Sequence, residues 1–380
     1  MVQTAPTGRT DLLQCLNSGA TLQEKLHYLH QTVRQRYPFI CRIAVALYDR
    51  HTDLLTTFVH SSGGSDPLSH YQAPLNDSVS LQRIVERRRP RIVNDMRLFS
   101  RVPRLHVHRL QSAGYIASYT LPMYQDGELI GFIFYNADQR NVFASDVCHY
   151  LDLIGQLLTL SVSHELGELK SLLAAIKTAV EITHHFHEDT GTHVNRMAHY
   201  TRLIAIGIAD SHQLNDEFIE MLFSFAPLHD IGKIGIPDSL LSKPGALTAD
   251  EFTLIKSHTT KGREIVDTML ANFSLSLRPY ADILRNIVHY HHEAYDGSGY
   301  PAGLSGKAIP IEARIAAVAD VFDALTSRRS YKRAWSNEEA FTLLQQQSGR
   351  KFDSACVKAL IGQSDAIKLI QQQFEQQPFA

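Results

Sequence analysis

Apolar residues recur along the chain with two different periods. Leu22, Leu26, Leu29 and Val33 stand three and four residues apart, which predicts a helix over residues 22–36. Past Tyr37-Pro38 the period changes. The β-branched and apolar runs CRIAVALYDR (41–50) and LLTTFVH (54–60) end in polar turn-formers and predict two strands. The stretch SSGGSDPLSHYQAPLNDS reads as loop from its Gly, Pro, Ser and Asp. A short helix around 81–86 leads to RIVNDM (91–96). Next, SYTLPMY (118–124) and LIGFIFYN (129–136) flank Gln125-Asp126-Gly127, a hairpin signal. From Val147 to about Thr183 there is no proline, and apolar residues fall at Leu151, Ile154, Leu158, Val162, Leu166, Leu169, Leu173, Ile176 and Val180. The later steps alternate three and four, as in a coiled-coil seam, after three steps of four that read as a stutter. One long helix that joins two domains and pairs with its copy in a homodimer explains this stripe better than a flexible linker. Docking of the stripe on its own domain is the alternative.

The order helix, strands, short helix, hairpin, long helix resembles a GAF sensory domain over residues 20–160, behind a tail of residues 1–19. The resemblance implies an α+β domain, an antiparallel sheet flanked by helices. The NKxDE-type signature of cyclic-nucleotide-binding GAF domains is missing, so its partner is an unknown small molecule, or none if the domain serves dimerisation and packing. Two domains also suit 380 residues at ~150 per domain. The second half is helical by period, with loops at 241–247 and 295–310, no internal repeat, and a polar carboxyl end expected to fray.

Composition narrows the function only by exclusion. A formal charge of −2 exerts no general pull on a nucleic acid polymer or an anionic membrane, so any phosphate must be recognised locally. Cys15, Cys41, Cys148 and Cys356 lie far apart without a CxxC pair, which argues against disulfides or thiolate zinc. There is no signal-peptide pattern and no apolar run near ~18 residues; a soluble cytoplasmic protein is the expectation.

Histidine placement is more informative than histidine number. Eleven of the twenty lie between His184 and His292. DTGTH sets Asp189 and His193 four residues apart, on one face if helical. PLHDIGKIGIP carries the adjacent His229 and Asp230 in an apolar, helical context, with Lys233 one turn on. EFTLIKSHTTKG is read as a helix holding His258. His291-His292 precede a Gly-Ser-Gly-Tyr-Pro loop (297–301), and the apolar helix IAAVADVFDALTS contains Asp320 and Asp323. A single buried histidine is normally a hydrogen-bonded core residue. Five histidines with two or three carboxylates, all in apolar settings, are too many donors for one ion. Nitrogen and oxygen ligands without thiolates suit Fe, Mn, Ni or Zn. A bridging Asp between ions ~3.5–4 Å apart, activating water for in-line attack on phosphorus, is the two-metal logic of phosphodiesterases.

DTGTHVNR, LHDIGKIGIPD, SHTTKG, HHEAYDGSGYP and ADVFDALTSRRSYK, in this order, resemble the HD-GYP family of cyclic di-GMP phosphodiesterases, within the HD phosphohydrolase superfamily. The resemblance implies an all-α helical bundle over residues 184–380, reached by a connecting helix over 147–183. It implies metal ligation by His193, His229, Asp230, His258, His291, His292 and Asp320, with Asp230 bridging. A Glu at the position of Asp189 accompanies a third metal in the family; the shorter Asp here leaves two or three ions open. Lys233 corresponds to the lysine on the scissile phosphate and joins Asp230 as a catalytic residue. Tyr300, with Gly299 and Pro301, and Arg329 and Lys332 correspond to substrate contacts. Asp323 is counted with them, or else orients a ligand from behind. His184, His185, His187 and His289 match no ligand.

The expectation is therefore hydrolysis of cyclic di-GMP to pGpG, and on to GMP, by a metal-bridging hydroxide, with the GAF-like domain regulating, and with iron the favoured metal. The alternatives are an HD hydrolase of another cyclic dinucleotide, and a catalytically weak cyclic-dinucleotide receptor or protein-interaction module.

Overall fold

The computed structural model describes residues 20–50, 52–63, 66–99, 105–183, 191–273, 275, 280–327 and 333–375. The chain divides into two compact units, Met1–Glu168 and Leu169–Ala380.

In the first unit, α1 (Leu22–Arg36) starts at a capping box in which Thr21 and Glu24 exchange hydrogen bonds. Strands β1 (Ile40–Asp49), β2 (Leu54–Ser62) and β3 (Gln72–Pro74) follow, the last inside the stretch expected to be loop. Then come α2 (Val79–Arg87), β4 (Arg91–Val93), α3 (Leu105–Ser112), β5 (Ala117–Gln125) and β6 (Glu128–Ala137). The six strands form one antiparallel sheet in the order β3-β2-β1-β6-β5-β4. The expected hairpin joins β5 to β6, with positive φ at Asp126 and Gly127 as a tight twisted turn requires. This is the flanked antiparallel sheet that the GAF resemblance implies. Leu22, Leu26, Leu29 and Val33 of α1 are fully buried, and His30 of the same helix bonds Ser61 and the Ile40 carbonyl.

Helix α4 (Ser145–Thr183) is the long helix expected from the proline-free stretch. Its first turns dock on the sheet: Tyr135 donates to the Leu151 carbonyl (3.0 Å) and Tyr119 to Asp152 (2.6 Å). This corrects the coiled-coil reading of its early positions. Leu151, Ile154, Leu158 and Val162 are buried within a single chain, so they are not free to meet a second copy. The leucines left exposed on this helix are Leu153, Leu157 and Leu160, on a different stripe.

The second unit is all-α. Helices α5 (Gly191–His212) and α6 (Asp216–Phe225) lead into two short 3₁₀ turns, Ala226–Leu228 and Ile231–Gly235. They are followed by α7 (Asp238–Leu241), α8 (Ala249–Lys256), α9 (His258–Asn272), α10 (Ala281–Tyr290), α11 (Ile311–Thr326), α12 (Asn337–Gln347), α13 (Ser354–Ile361) and α14 (Ser364–Glu375). Its core is built from fully buried residues such as Tyr200, Leu222, Phe225, Leu284, Ile315 and Phe322. One buried ion pair ties α11 to the start of α13. Arg314 reaches Asp353 at 2.5 Å and the Ile309 carbonyl at 2.9 Å, while Asp353 caps α13 through Ala355.

Replacing one member of such a pair strands the other as an uncompensated buried charge. Arg314→Met is therefore expected to destabilise the second unit by roughly 3–5 kcal/mol, read by calorimetry of the full chain. An unshifted transition would show that the pair contributes nothing.

Candidate metal centre

Seven side chains expected to ligate metal come together in the second unit. Asp230, His258, His291 and His292 bring one donor atom each within 4.8 Å of one another, and so do His193, His229 and Asp320. Asp230 lies between the two clusters. Its Oδ1 is 3.3 Å from His258 Nε2 and 3.8 Å from His291 Nε2; its Oδ2 is 3.3 Å from His229 Nε2. Asp320 Oδ1 stands 3.8 Å from both His193 Nε2 and His229 Nε2.

Three of these histidines are held by the same local device. The last carbonyls of a helix have no partner within it. His229, His258 and His291 follow such ends, and their Nδ1–H groups donate back to Ala226 (3.0 Å), Ile255 (2.7 Å) and Ile287 (3.0 Å). Helical context was expected for His229-Asp230 and for the run through His258. Instead the chain breaks into 3₁₀ turns around Asp230, and α8 ends at Lys256 before α9 begins at His258. The carbonyls at these breaks accept from the rings as well as from the backbone and so orient them. Each Nε2 is then left as a lone pair facing inward, the arrangement typical of a metal-ligating histidine.

Whether these residues fit a metal can be judged from what they leave unsatisfied. The Nε2 atoms of His229, His258 and His291 and Oδ1 of Asp230 are buried and make no hydrogen bond. Leaving such a group unpaired costs about 1–3 kcal/mol, so four in one place need a ligand. The charge states agree. Burial pushes His258 and His291 below the ordinary histidine value and His292 down to about 4, which keeps these rings neutral and able to ligate. Burial would also lower His229, but the Asp230 and Asp320 carboxylates outweigh it and raise it to about 9. For Asp230, burial is outweighed by Lys233 and His229, so the carboxyl titrates well below its usual range. Neutral rings at His258, His291 and His292 beside an ionised carboxylate suit a divalent cation, which would have to displace the proton that Asp230 and Asp320 hold on His229; with that exchange the donor set fits metal ions.

Close backbone packing brings the pieces together. A Cβ on Gly232 would stand 1.8 Å from the His258 carbonyl oxygen and 2.5 Å from Gly262 N, so the turn after Asp230 rests directly on α9. A Cβ on Gly299 would stand 2.1 Å from Ala294 N. That contact folds the 297–301 loop onto the segment after His292, with Tyr300 N bonded to the His292 carbonyl (3.2 Å) and Ala302 N to buried Glu293 (2.7 Å). The Tyr300 ring lies 4.9 Å from that of His292, and Pro301 completes the loop. Burial, reinforced by Asp230 and Asp320, raises the Tyr300 phenol, so it stays protonated and able to donate. Lys233 is partly exposed, with Nζ 2.5 Å from Asp230 Oδ2.

Asp323 requires a correction. It is fully buried behind His193, accepting from Nδ1 of that ring (2.5 Å), from Arg196 (2.7 and 3.0 Å) and from Ser327 (2.8 Å). Both oxygens are engaged, so it orients His193 and does not meet substrate. Burial would raise its carboxyl, but His193 and Arg196 outweigh that and keep it ionised. Arg196 was missed, although the signal was present. It follows His193 by three residues, as Asp323 follows Asp320, so each pair shares a helix face. Lys256 was also missed; its Nζ lies over the Tyr300 ring (5.4 Å) and the Phe252 ring (4.6 Å). His289 donates to or accepts from no ligand residue and sits 3.3 Å from the Thr259 carbonyl. Asp189, Arg329, Lys332, His184, His185 and His187 lie outside the described residues.

Asp323→Asn keeps the shape but weakens the hold on His193. Metal affinity is expected to fall roughly 10–100-fold, measured by competition with a chelator on the full chain. Unchanged affinity would leave Asp323 a purely structural residue.

Comparison with known proteins covers the same segment. Residues 183–356 match the family model described as HD domain. The chain is 47% identical over 172 residues to the cyclic di-GMP phosphodiesterase response regulator RpfG of Xanthomonas campestris, covering 45% of this chain and 43% of that protein. It is 41% identical over 191 residues to a cyclic di-GMP phosphodiesterase of Vibrio cholerae (49% of this chain, 38% of that protein). A third relative, 3'3'-cGAMP-specific phosphodiesterase 2 of Vibrio cholerae, is 40% identical over 194 residues (50% and 34%). The chain thus spans less than half the length of each. The GAF domain from an Acinetobacter phosphoenolpyruvate-protein phosphotransferase is 14% identical with a TM-score of 0.32, covering 41% of this chain and 92% of that one. No helix among the described residues is long and apolar enough to cross a membrane. With the ligand motifs and the Gly-Tyr-Pro loop in the order that the HD-GYP resemblance implies, the segment from residue 183 to 356 matches the HD domain family and is similar to these phosphodiesterases.

Proposed function

We propose that the chain is a metal-dependent phosphodiesterase that hydrolyses cyclic di-GMP to pGpG, with further cleavage to GMP left open. The observation that carries this reading is the set of buried, unpartnered donor atoms converging on Asp230, with Lys233 at the rim. Relatives named cyclic di-GMP phosphodiesterases match about half of the chain, at 47% and 41% identity. Metal ions held by these residues would acidify a water and polarise the phosphate. The protein's own groups do the rest. Asp230 offers one oxygen to each cluster and keeps both histidine sets in register. Lys233, whose Nζ stands beside Asp230, would place a positive charge where the phosphate gains negative charge. Tyr300 presents a protonated phenol and a ring face to a guanine, with Gly299 and Pro301 shaping its loop. Arg329 and Lys332 complete phosphate binding in this reading.

The metal is proposed to be iron, with Mn, Ni or Zn as substitutes, since the donors are nitrogen and oxygen without thiolate. Seven ligands suit two ions; Asp189 would serve a third. A second reading, another cyclic dinucleotide as substrate, is favoured by the similarity to a 3'3'-cGAMP-specific enzyme. The first unit is proposed to regulate turnover, and the chain to work as a homodimer through that unit and α4. The exposed Leu153, Leu157 and Leu160 form the dimer face in place of the buried stripe.

Full chain loaded with ferrous iron without oxygen should convert cyclic di-GMP to pGpG, followed by chromatography. Asp230→Ala should lower kcat by about a thousandfold or more, and Lys233→Met by roughly 10²–10³. Tight cyclic di-GMP binding without product would instead identify a receptor, and faster turnover of 3'3'-cGAMP would shift the substrate. Joint replacement of Leu153 and Leu160 by Glu should yield monomers by light scattering; an unaltered mass would exclude this dimer face.

A further inference from the structure

Lys256 ends α8, two residues before the candidate ligand His258, and has no part in the chemistry proposed for Asp230 and Lys233. Among the described residues its Nζ forms neither an ion pair nor a hydrogen bond. Glu251 of the same helix is occupied, both of its oxygens accepting from Lys243 (2.7 Å each). What the Lys256 ammonium does meet is two aromatic rings, that of Phe252 one turn back (4.6 Å) and that of Tyr300 from the 297–301 loop (5.4 Å). Attraction to ring faces fixes the direction of a flexible side chain and spends none of its three N–H donors on an oxygen or nitrogen acceptor.

Position decides what those donors can reach. The Tyr300 ring neighbours both the candidate ligand His292, ring to ring at 4.9 Å, and Lys256. Lys233 is placed differently: its Nζ stands on Asp230, where a scissile phosphate would lie. A base in van der Waals contact with the Tyr300 face would lie ~3.5–4 Å from it, so a cation 5.4 Å from the ring centre is near enough to meet that base's edge.

We propose that Lys256 reads the guanine held on Tyr300, donating to its O6 and N7; the inference rests on Tyr300 serving as a base platform, as in the proposed function. A guanine edge presents two adjacent acceptors, O6 and N7, whereas an adenine edge presents N7 beside an N6 amino donor. An ammonium has donors and no acceptor. It gains two hydrogen bonds from guanine and meets an opposing donor on adenine. A phosphate partner is disfavoured, because Lys256 stands against rings while Lys233 covers the Asp230 side.

The test loads the full chain with ferrous iron without oxygen and compares kcat/KM for cyclic di-GMP and cyclic di-AMP in wild type, Lys256→Met and Lys256→Arg. Wild type should favour cyclic di-GMP by about tenfold or more. Lys256→Met should lower that preference by about tenfold, through a higher KM for cyclic di-GMP with cyclic di-AMP little changed. Lys256→Arg, which keeps donors for O6 and N7, should keep the preference. Thermal unfolding and metal content establish that each variant folds and loads; if Lys256→Met does not fold, Lys256→Gln takes its place with the same expected loss. The proposal is overturned if wild type shows no guanine preference, if the preference survives Lys256→Met, or if both substrates lose equally, which would leave Lys256 as packing for Tyr300. Where neither dinucleotide is cleaved, the same ratio is read from dissociation constants by calorimetry, which separates a failure of hydrolysis from a failure of guanine reading. Binding of neither overturns both.

Discussion

Four buried atoms without partners, Nε2 of His229, His258 and His291 and Oδ1 of Asp230, set the terms for the second unit. At about 1–3 kcal/mol each, they oppose folding, and the rest of the structure is arranged to hold them nonetheless. The opposing constraint is supplied from behind. Each ring is tied through Nδ1 to a carbonyl three or four residues before it, so a bond within the local turn aims the ring. Gly232 lets the Asp230 turn lie on α9, and the Asp323–Arg196 pair fixes His193 from the far side. The centre is therefore assembled from termini and close contacts, where backbone groups are available, and less from helix middles.

This explains what could be read from residue order and what could not. The seven candidate ligands were legible because histidine and aspartate in apolar runs have few other roles, and because their order resembled that of a family. The helix breaks were not legible. Periodicity reports that a face is buried, and LHDIGKIG keeps its apolar spacing whether the backbone is α or 3₁₀. Asp323 was misplaced for a related reason: three residues after Asp320, it shares that residue's helix face, and sequence does not reveal which of two neighbouring carboxylates looks outward. The structure separates them by depth, Asp320 at 19% side-chain exposure and Asp323 at 0%.

Helix α4 makes the same point in the first unit. Its length was legible from the missing prolines, while the partner of its apolar stripe was not. A run at steps of three and four fits a coiled-coil seam and a helix lying on a sheet equally well over a few turns. What distinguishes them is across the interface: Tyr119 and Tyr135 reach up from the sheet to Asp152 and the Leu151 carbonyl, and no pattern within the helix records that.

Buried polar groups in this protein fall into two kinds, and the difference lies in closure. Arg314 and Asp353 satisfy one another, a loop carbonyl and a helix cap, and nothing is left over. Such a network stabilises geometry and needs no visitor. The histidines around Asp230 are bonded on one side only, and Asn136 likewise gives its oxygen to Arg42 and leaves its amide nitrogen unused. In each open case the satisfied half fixes direction and the unsatisfied half faces a space. A fold that needed only stability would gain by closing both sites with apolar residues of similar volume. That it keeps them open, one with imidazoles around a carboxylate and the other with a buried amide donor, separates the sites by chemistry: the first arrangement suits a cation, the second a hydrogen-bond acceptor.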